Sequence, residues 1–558
     1  MTTVFYYRVA QQLADGRGYI GPYLAEPTAG WPPAYTATLA LSFVILRDSL
    51  IAMKIVNILL AASAVWLTYL LAQRLFGTRA GLMSAGIIAL FPSYVYVSTI
   101  SLAENLFVPA FVLVVLLMAH WGLTAPAAPT PVRSLVLGGA VAFTALTRAE
   151  GVWLFLPAVV VWAIASRDRT AAARSVCLVL VGAAIVFTPW TVRNLTQLGE
   201  FTLIRDGPPS TSIAIGLHPG YRAYSGFIPP QPLPTLSDDL RIYRDDPREL
   251  LTLLQHKMRD LYRNDRGIAS WVRGGRGQPL FQELLGERPE EDGELQLDAA
   301  ETQRWQILAD AAYFGLGIIA LTSLALLAAA RDRRAWFLAG VLLTWTVGFA
   351  LLTPEPRYHL PLMPLMAILA TALPTAAGRA VVDRAAIGRH WRLRPLATVA
   401  TTLTAATLVA ALTLGLGLRG IVGEWKAPEI AVRSASLGQP LTMGDLAITP
   451  HTFELVSALG DTPAPPGRAW LLVKASARNL GVAEIFLYGS IQAAVEDGAG
   501  NSYVQQLDAS PALPLDGDVP PGETLTATAA YDVPTGASGL QFVFKSVGTP
   551  EEGRWPLQ

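Results

Sequence analysis

Long apolar runs separated by short polar connections fill the first three quarters of the chain, and the last quarter switches to two-residue alternation. A helix that crosses a bilayer needs about 20 mostly apolar residues. Runs of that character lie near 51–71, 80–98, 102–119, 134–147, 151–166, 175–190, 305–330, 335–352, 358–377 and 396–418. The pair at 134–147 and 151–166 is short and separated by Arg148 and Glu150, so it reads either as two spans or as one broken helix. The pattern predicts a multi-pass α-helical membrane protein of about ten spans.

After residue 430 the segments Leu471–Ala477, Ile491–Val495 and Thr524–Ala529 alternate apolar with polar positions. Between them lie two turn signals, Glu496–Asn501 and Pro520-Pro521-Gly522. Short strands at such spacing predict an all-β sandwich, and the segment resembles the immunoglobulin-like domains appended to bacterial surface proteins. Asp497 sits at a hairpin tip, where an acid reads as turn chemistry rather than as a calcium ligand.

Composition sharpens this picture. Of the 558 residues 52% are hydrophobic and 15% charged, with a mean hydropathy of +0.40, whereas soluble domains carry about a quarter charged residues. Lys and Arg, 42 together, equal Asp and Glu, also 42, so no basic excess points to nucleic acid. The single cysteine, Cys177, excludes an intrachain disulfide and a thiolate-rich metal site. The six histidines show no zinc-protease spacing.

Arginines set the expected orientation. Alternate connections carry Arg74 and Arg79; Arg133; Arg167, Arg169 and Arg174; Arg331, Arg333 and Arg334; and Arg379 through Arg394. These are expected on the cytoplasmic side of the cell (plasma) membrane, which puts the long loop and the C-terminal region outside. Residues 1–33 then also lie outside with no span before them, and Met1–Phe5 has no signal-peptide character. Two expectations follow: a short translocated N-terminal tail, or a first helix preceding the chain as written. The resulting divisions are 1–50, a first extracytoplasmic loop with juxtamembrane helices; 51–190, transmembrane helices; 191–304, a long extracytoplasmic loop; 305–420, further transmembrane helices; and 430–558, the extracytoplasmic sandwich. Within the long loop, Leu250–Met258 is amphipathic and the prolines at 229–234 read as a surface lid.

Charged residues gather at the outer ends of the spans: Glu104, the pair Arg148 and Glu150, Arg193, and Arg357 beside Tyr358. Singly, each reads as a side chain reaching for the interface. Together they place three arginines and several acids on one membrane face, the chemistry of an anionic lipid headgroup: guanidinium holds phosphate bidentately, and a carboxylate activates a nucleophile. Asp15, before Gly16, reads as turn chemistry, and Trp31-Pro32-Pro33 shapes its loop and blocks a helix until Ala34.

An ordered series of short motifs carries a family resemblance. It runs Tyr6-Tyr7 with Leu13-Ala14-Asp15-Gly16-Arg17-Gly18, Trp31–Tyr35, Leu75-Phe76-Gly77, Phe91-Pro92, Leu102-Ala103-Glu104, Pro189–Asn194 and Arg357-Tyr358. The chain over about 1–420 resembles the GT-C membrane glycosyltransferases, in the branch of protein mannosyltransferases and aminoarabinose transferases that use polyprenyl-phosphate sugars. The resemblance implies an enzyme that transfers a hexosyl or pentosyl group from a polyprenyl-phosphate-linked sugar, held in the lipid bilayer, to an extracytoplasmic acceptor (protein, lipid or cell-wall glycan). It implies Glu104 as a catalytic group that orients acceptor. It implies Arg193 and Arg357 as clamps of the donor phosphate, with Arg148, Glu150 and Tyr358 also at the substrate. No cofactor is required, a divalent cation is compatible with the chemistry, and no metal ligands are assigned. The family's first-loop Asp stands before the Tyr-Tyr stretch, where this chain has Met1–Val4. That departure leaves two alternatives: a non-catalytic relative that lost the Asp, and a transporter or flippase of lipid-linked sugars.

Overall fold

In the computed structural model of the chain the described residues are 2–21, 27–47, 49–124, 129–166, 168–204, 209–218, 236–262, 299–354, 356–374, 431–459, 462–464, 467–481, 485–498, 501–506, 515–545 and 551–557. The chain divides into two compact units, 1–208 with 255–423, and 209–254 with 424–558.

The first unit is helical. Helix α1 (Thr2–Ala14) precedes α2 (Ala34–Leu46), which starts directly after the prolines at 32 and 33. Helices α3 (Ser49–Phe76) and α4 (Thr78–Leu90) break at Gly77, whose φ of 92° an L side chain rarely adopts. Pro92 opens α5 (Pro92–Ser98) at its first turn. The expected 80–98 span is therefore broken, with α4 and α5 bent by 59°. Helix α6 (Glu104–Met118) continues as a π-helix over Ala119–Thr124.

Next, α7 (Pro131–Thr147) is capped by the Thr130 hydroxyl, which accepts the Arg133 backbone N–H at 3.3 Å. A 3-10 turn, Ala149–Leu154, then leads into α8 (Phe155–Ala165), so 134–147 and 151–166 are separate helices hinged at Arg148. Asp168 caps α9 (Arg169–Gln197) by accepting the Ala171 N–H at 2.8 Å. Helices α7 and α9 meet through glycine. A Cβ at Gly138 would stand 1.9 Å from the Val179 carbonyl oxygen, and one at Gly182 would stand 2.1 Å from that of Leu135. Small residues at a helix crossing let the backbones approach this closely.

In chain order there follow α10 (Pro209–Leu217), α11 (Leu236–Asp245) and the amphipathic α12 (Pro247–Tyr262). Helices α13 (Ala299–Ala329) and α14 (Arg333–Leu351) are long and apolar. The expected span at 358–377 is different in kind. It forms a 3-10 segment, Pro356–Leu362, and the nine-residue α15 (Met363–Thr371), buried among other helices. Prolines 356, 361 and 364 deny the backbone N–H groups that a continuous helix needs. Among the described residues five helices are long and apolar enough to cross a membrane, or six if the bent pair counts as one span. The expected span at 396–418 and the proline run at 229–234 lie outside the described residues.

The β region contains β1 (Ala431–Ser434), β2 (Leu441–Met443), β3 (Leu446–Val456), β4 (Ala458–Leu459), β5 (Thr462–Pro463), β6 (Arg468–Asn479), β7 (Ile485–Tyr488), β8 (Ala493–Glu496), β9 (Ser502–Gln506), β10 (Asp516–Val519), β11 (Thr524–Pro534), β12 (Gln541–Lys545) and β13 (Glu551–Pro556). Nine strands pair in the order β1-β13-β12-β8-β9-β11-β6-β3-β2. Strands from both ends of that order, through Ile448, Leu471, Val495, Phe542 and Trp555, share one apolar core, so the sheet folds over onto itself as a sandwich. The expected strand at Ile491–Val495 is shorter than the alternation implies. Gly489–Gln492 forms a helical turn and β8 begins at Ala493, because Gly489 lies where a Cβ would come within 2.1 Å of the Leu515 carbonyl oxygen.

At the β8–β9 hairpin, Asp497 Oδ1 accepts the Asn501 N–H at 2.8 Å, and its Oδ2 accepts from Asn501 Nδ2 at 2.9 Å and the Tyr503 hydroxyl at 2.8 Å. This is turn chemistry. Burial and the bond to Asp497 push the Tyr503 phenol up to about 12.

Candidate functional site

Three backbone breaks converge on one cluster of charge. Glu104 begins α6 after a tight loop that polar side chains fix from below. Asn105 Nδ2 donates to the carbonyl oxygens of Val97, Ile100 and Leu102 at 3.0, 2.9 and 3.1 Å. Asn57 Nδ2 donates to the Ile100 carbonyl at 2.9 Å, and the Tyr35 hydroxyl donates to Asn57 Oδ1 at 2.9 Å. A loop carbonyl left unbonded at this depth would cost about 1–3 kcal/mol, so these amides hold Glu104 in place.

Arg148 occupies the extended residue between α7 and the 3-10 turn. It faces Glu150 with two parallel bonds, Nη2 to Oε1 at 3.1 Å and Nε to Oε2 at 3.3 Å. Its Nη1 donates to Glu104 Oε1. Gly151 allows the turn to fold back, since a Cβ there would lie 2.7 Å from the backbone of Thr144 and Ala145.

Arg357 and Tyr358 come from the 3-10 segment after α14. That segment is pinned by the Tyr94 hydroxyl donating to the Leu360 carbonyl at 2.7 Å and by Trp345 Nε1 donating to the Tyr358 carbonyl at 2.9 Å. Arg357 Nε lies 3.7 Å from Glu104 Oε1. The Tyr358 ring stacks on Phe349 at 5.1 Å and carries the Arg148 guanidinium 4.5 Å from its centre. That cation–π contact adds about 1–2 kcal/mol where water is excluded.

Five of the six residues selected from the sequence are thus brought together: Glu104, Arg148, Glu150, Arg357 and Tyr358. Arg193 has a different position. Its Nη1 donates to the Thr28 carbonyl at 2.7 Å and to Asn194 Oδ1 at 2.9 Å, and its Nη2 donates to the Tyr19 carbonyl at 2.7 Å. Its guanidinium also lies over the rings of Tyr19 and Trp190, at 5.6 and 5.1 Å. Those contacts tie the loop after α1 to the end of α9.

Tyr6 is the group that reading the sequence passed over. It is buried, and burial holds its phenol well above the ordinary range, with Arg148 opposing that shift and Glu104 adding to it. The Tyr-Tyr stretch was visible in the sequence, but nothing local marks that the Tyr6 ring is buried against Trp31 and Tyr35.

Glu104 also lines a small cavity of about 20 Å³, room for about one water, with Ala61, Ala64, Tyr94, Val97, Asn105, Val108 and Leu360. Among the described residues no three His, Cys, Asp or Glu side chains group as metal ligands. Glu104 and Glu150 both face Arg148.

Residues 31–192 match the family model described as dolichyl-phosphate-mannose-protein mannosyltransferase. Residues 31–192, within the helical unit, are thus similar to a glycosyltransferase family. Residues 435–552 match a domain of unknown function, DUF4352. Among solved structures, ArnT from Cupriavidus metallidurans bound to undecaprenyl phosphate is similar at 13% identity over 76% of this chain and 68% of that one, TM-score 0.39. The Archaeoglobus fulgidus oligosaccharyltransferase in its apo form is similar at 14% identity over 75% of this chain and 51% of that one, TM-score 0.38. An uncharacterized β-sandwich protein from Clostridium difficile 630 is similar at 16% identity over 24% of this chain and 100% of that one, TM-score 0.19. The comparison with curated proteins gives no match.

Proposed function

We propose that the chain is a membrane glycosyltransferase that moves a sugar from a polyprenyl-phosphate donor to an acceptor on the extracytoplasmic side of the cell membrane. The observation that carries this reading is the cluster of Glu104, Arg148 and Arg357, of which Glu104 and Arg148 fall in the segment that matches the mannosyltransferase family.

The roles follow from how firmly each group is held. Arg148 is fixed by two carboxylates and a ring, which makes it the strut that orients Glu104. Arg357 has the looser contact at 3.7 Å and the greater side-chain exposure, 26% against 13%, so it is the guanidinium that turns to the donor phosphate. Both arginine contacts of Glu104 fall on Oε1, and Oε2 is the oxygen that meets the acceptor hydroxyl. In the reaction the acceptor oxygen attacks the anomeric carbon, the bond from that carbon to the phosphate oxygen breaks, and polyprenyl phosphate leaves. The acceptor proton passes to Glu104. Arg357 stabilises the charge growing on the departing phosphate.

The test is donor consumption by the full chain in membranes supplied with a panel of polyprenyl-phosphate sugars and a mixed acceptor extract. We expect release of polyprenyl phosphate from one donor. Glu104→Gln should lower the rate about 100-fold or more, and Arg357→Lys should also lower it sharply, since an ammonium lacks the planar fork. Sugar transfer at the wild-type rate by both variants would overturn the assignment. Movement of intact donor across the membrane without its cleavage would favour a flippase.

A further inference from the structure

Three polar contacts lock the last turns of α12 to the part of the chain that carries Arg357. Lys257 Nζ donates to the Ala350 carbonyl oxygen at 2.8 Å, near the C-terminal end of α14. The Tyr262 hydroxyl meets Thr346 Oγ1 at 2.6 Å. Because the Thr346 hydroxyl already donates to the Leu342 carbonyl at 2.8 Å, Tyr262 is the donor of that pair. His359, two residues after Arg357, places its Nδ1 3.1 Å from the Leu261 carbonyl oxygen. A carbonyl only accepts, so Nδ1 carries the hydrogen. The His359 ring packs on Tyr313 of α13 with ring centres 4.5 Å apart. Lys257, Leu261 and His359 are all fully buried.

The contacts are reciprocal. Leu261 and Ala350 lie in the last turns of α12 and α14, where helix carbonyls lack partners within their own helix. Each is bonded by a side chain from the other side of the contact. Lys257 of α12 serves α14, and His359, beyond the end of α14, serves α12. Arg357 lies in sequence between Ala350 and His359. Trp345 Nε1, donating to the Tyr358 carbonyl at 2.9 Å, closes the same frame from α14. Arg357 Nε lies 3.7 Å from Glu104 Oε1, so its reach toward a bound phosphate depends on where this frame holds its backbone. A misplacement of about 1 Å, even from a change far from the chemistry, can cost about 100-fold in rate.

We propose that His359 and Tyr262 are positioning residues for Arg357: their bonds to Leu261 and Thr346 register α12 against the segment 356–362 and so fix the guanidinium that meets the donor phosphate. The role of Arg357 rests on the glycosyltransferase reading, whereas the clasp that holds its segment does not.

Two substitutions separate the hydrogen bond from the ring. His359→Phe keeps an aromatic ring for Tyr313 and removes the Nδ1–H, whereas His359→Asn keeps an N–H donor and removes the ring. In the full chain in membranes, His359→Phe should lower consumption of a polyprenyl-phosphate sugar about tenfold and speed hydrogen exchange across residues 357–360. His359→Asn should recover most of both losses. In an Arg357→Lys background, His359→Phe should cost less than about twofold further, because residues that act through one another are not additive. Tyr262→Phe removes only the hydroxyl of a half-buried ring, and it should move both readings the same way by about threefold. It carries the test if His359→Phe does not fold. A tenfold loss repeated in the Arg357→Lys background would overturn the proposal, since His359 would then act by another route. Wild-type turnover together with wild-type exchange in His359→Phe, or in Tyr262→Phe where that variant carries the test, would overturn it as well. If the wild-type chain leaves every donor uncleaved, the glycosyltransferase reading fails alone. Exchange then judges the clasp: faster exchange in the variants upholds it, and unchanged exchange overturns it.

Discussion

Arg148 in the membrane unit and Arg554 in the β region are built alike and work under different conditions. Each bridges two glutamates, one of them two residues away in sequence: Arg148 holds Glu150 and Glu104, and Arg554 holds Glu552 and Glu496. The Arg148 side chain is 13% exposed and Glu104 only 3%, whereas Arg554, on β13 between β1 and β12, is 31% exposed. Charges removed from water interact more strongly and cost more when one is left alone. The same three-residue device is therefore a surface staple in one unit. In the other it is a charge cluster shielded from water.

Removing the central arginine from each device breaks the comparison open most directly. Arg148→Gln leaves Glu104 buried beside Arg357 alone and should lower stability by about 3–5 kcal/mol, read as early thermal unfolding of the micelle-embedded chain. A loss under about 1 kcal/mol would mean that water reaches the cluster freely.

A pH series sharpens the contrast with a buried charge held by a neutral partner. Lys257 on α12 is fully buried, and its Nζ donates to the Ala350 carbonyl oxygen at 2.8 Å. Burial lowers its pKa from the usual 10.5 to about 7. Below the folded value both the folded and unfolded chains hold the proton, so the penalty for burying the charge is constant. Between about 7 and 10.5 the unfolded chain binds a proton that the folded one lacks. Stability should therefore rise with pH across that window by about 1.4 kcal/mol per unit. Lys257→Met should remove the rise when melting is followed from pH 6 to about pH 10. A slope unchanged in the variant would mean that the ammonium stays charged in the fold.

The smallest effect is expected in the β region. Arg554→Gln should cost about 1 kcal/mol or less, visible as slightly faster hydrogen exchange in β12 and β13. A loss as large as that of Arg148→Gln would show that exposure does not separate the two devices.

Much of the fold was legible because hydropathy and strand alternation are local properties. The apolar runs at 51–71, 102–119 and 175–190 became long helices, the prolines before Ala34 set the start of α2, and the alternation at Leu471–Ala477 became part of β6. Charge at a span end was equally visible, so Glu104, Arg148, Glu150, Arg357 and Tyr358 could be selected one by one. Their meeting could not be read, because Glu104 and Arg148 are 44 positions apart and Arg357 lies much farther along the chain. Arg193 has the same local signature as Arg357, yet the tertiary fold directs it to the carbonyls of Tyr19 and Thr28.

By itself, then, the sequence determined which segments leave water, where the chain changes from helix to strand, and which side chains carry charge to the membrane edge. Only the tertiary structure decided which of those charges face one another. It also decided that the apolar run after Arg357 packs as a short buried helix, that Tyr6 is buried against Trp31 and Tyr35, and that Lys257 is sealed against the end of α14. The physical reason is range. Hydrophobic transfer and backbone propensity act within a few residues along the chain, whereas ion pairs and buried hydrogen bonds depend on distances that exist only after distant segments have packed.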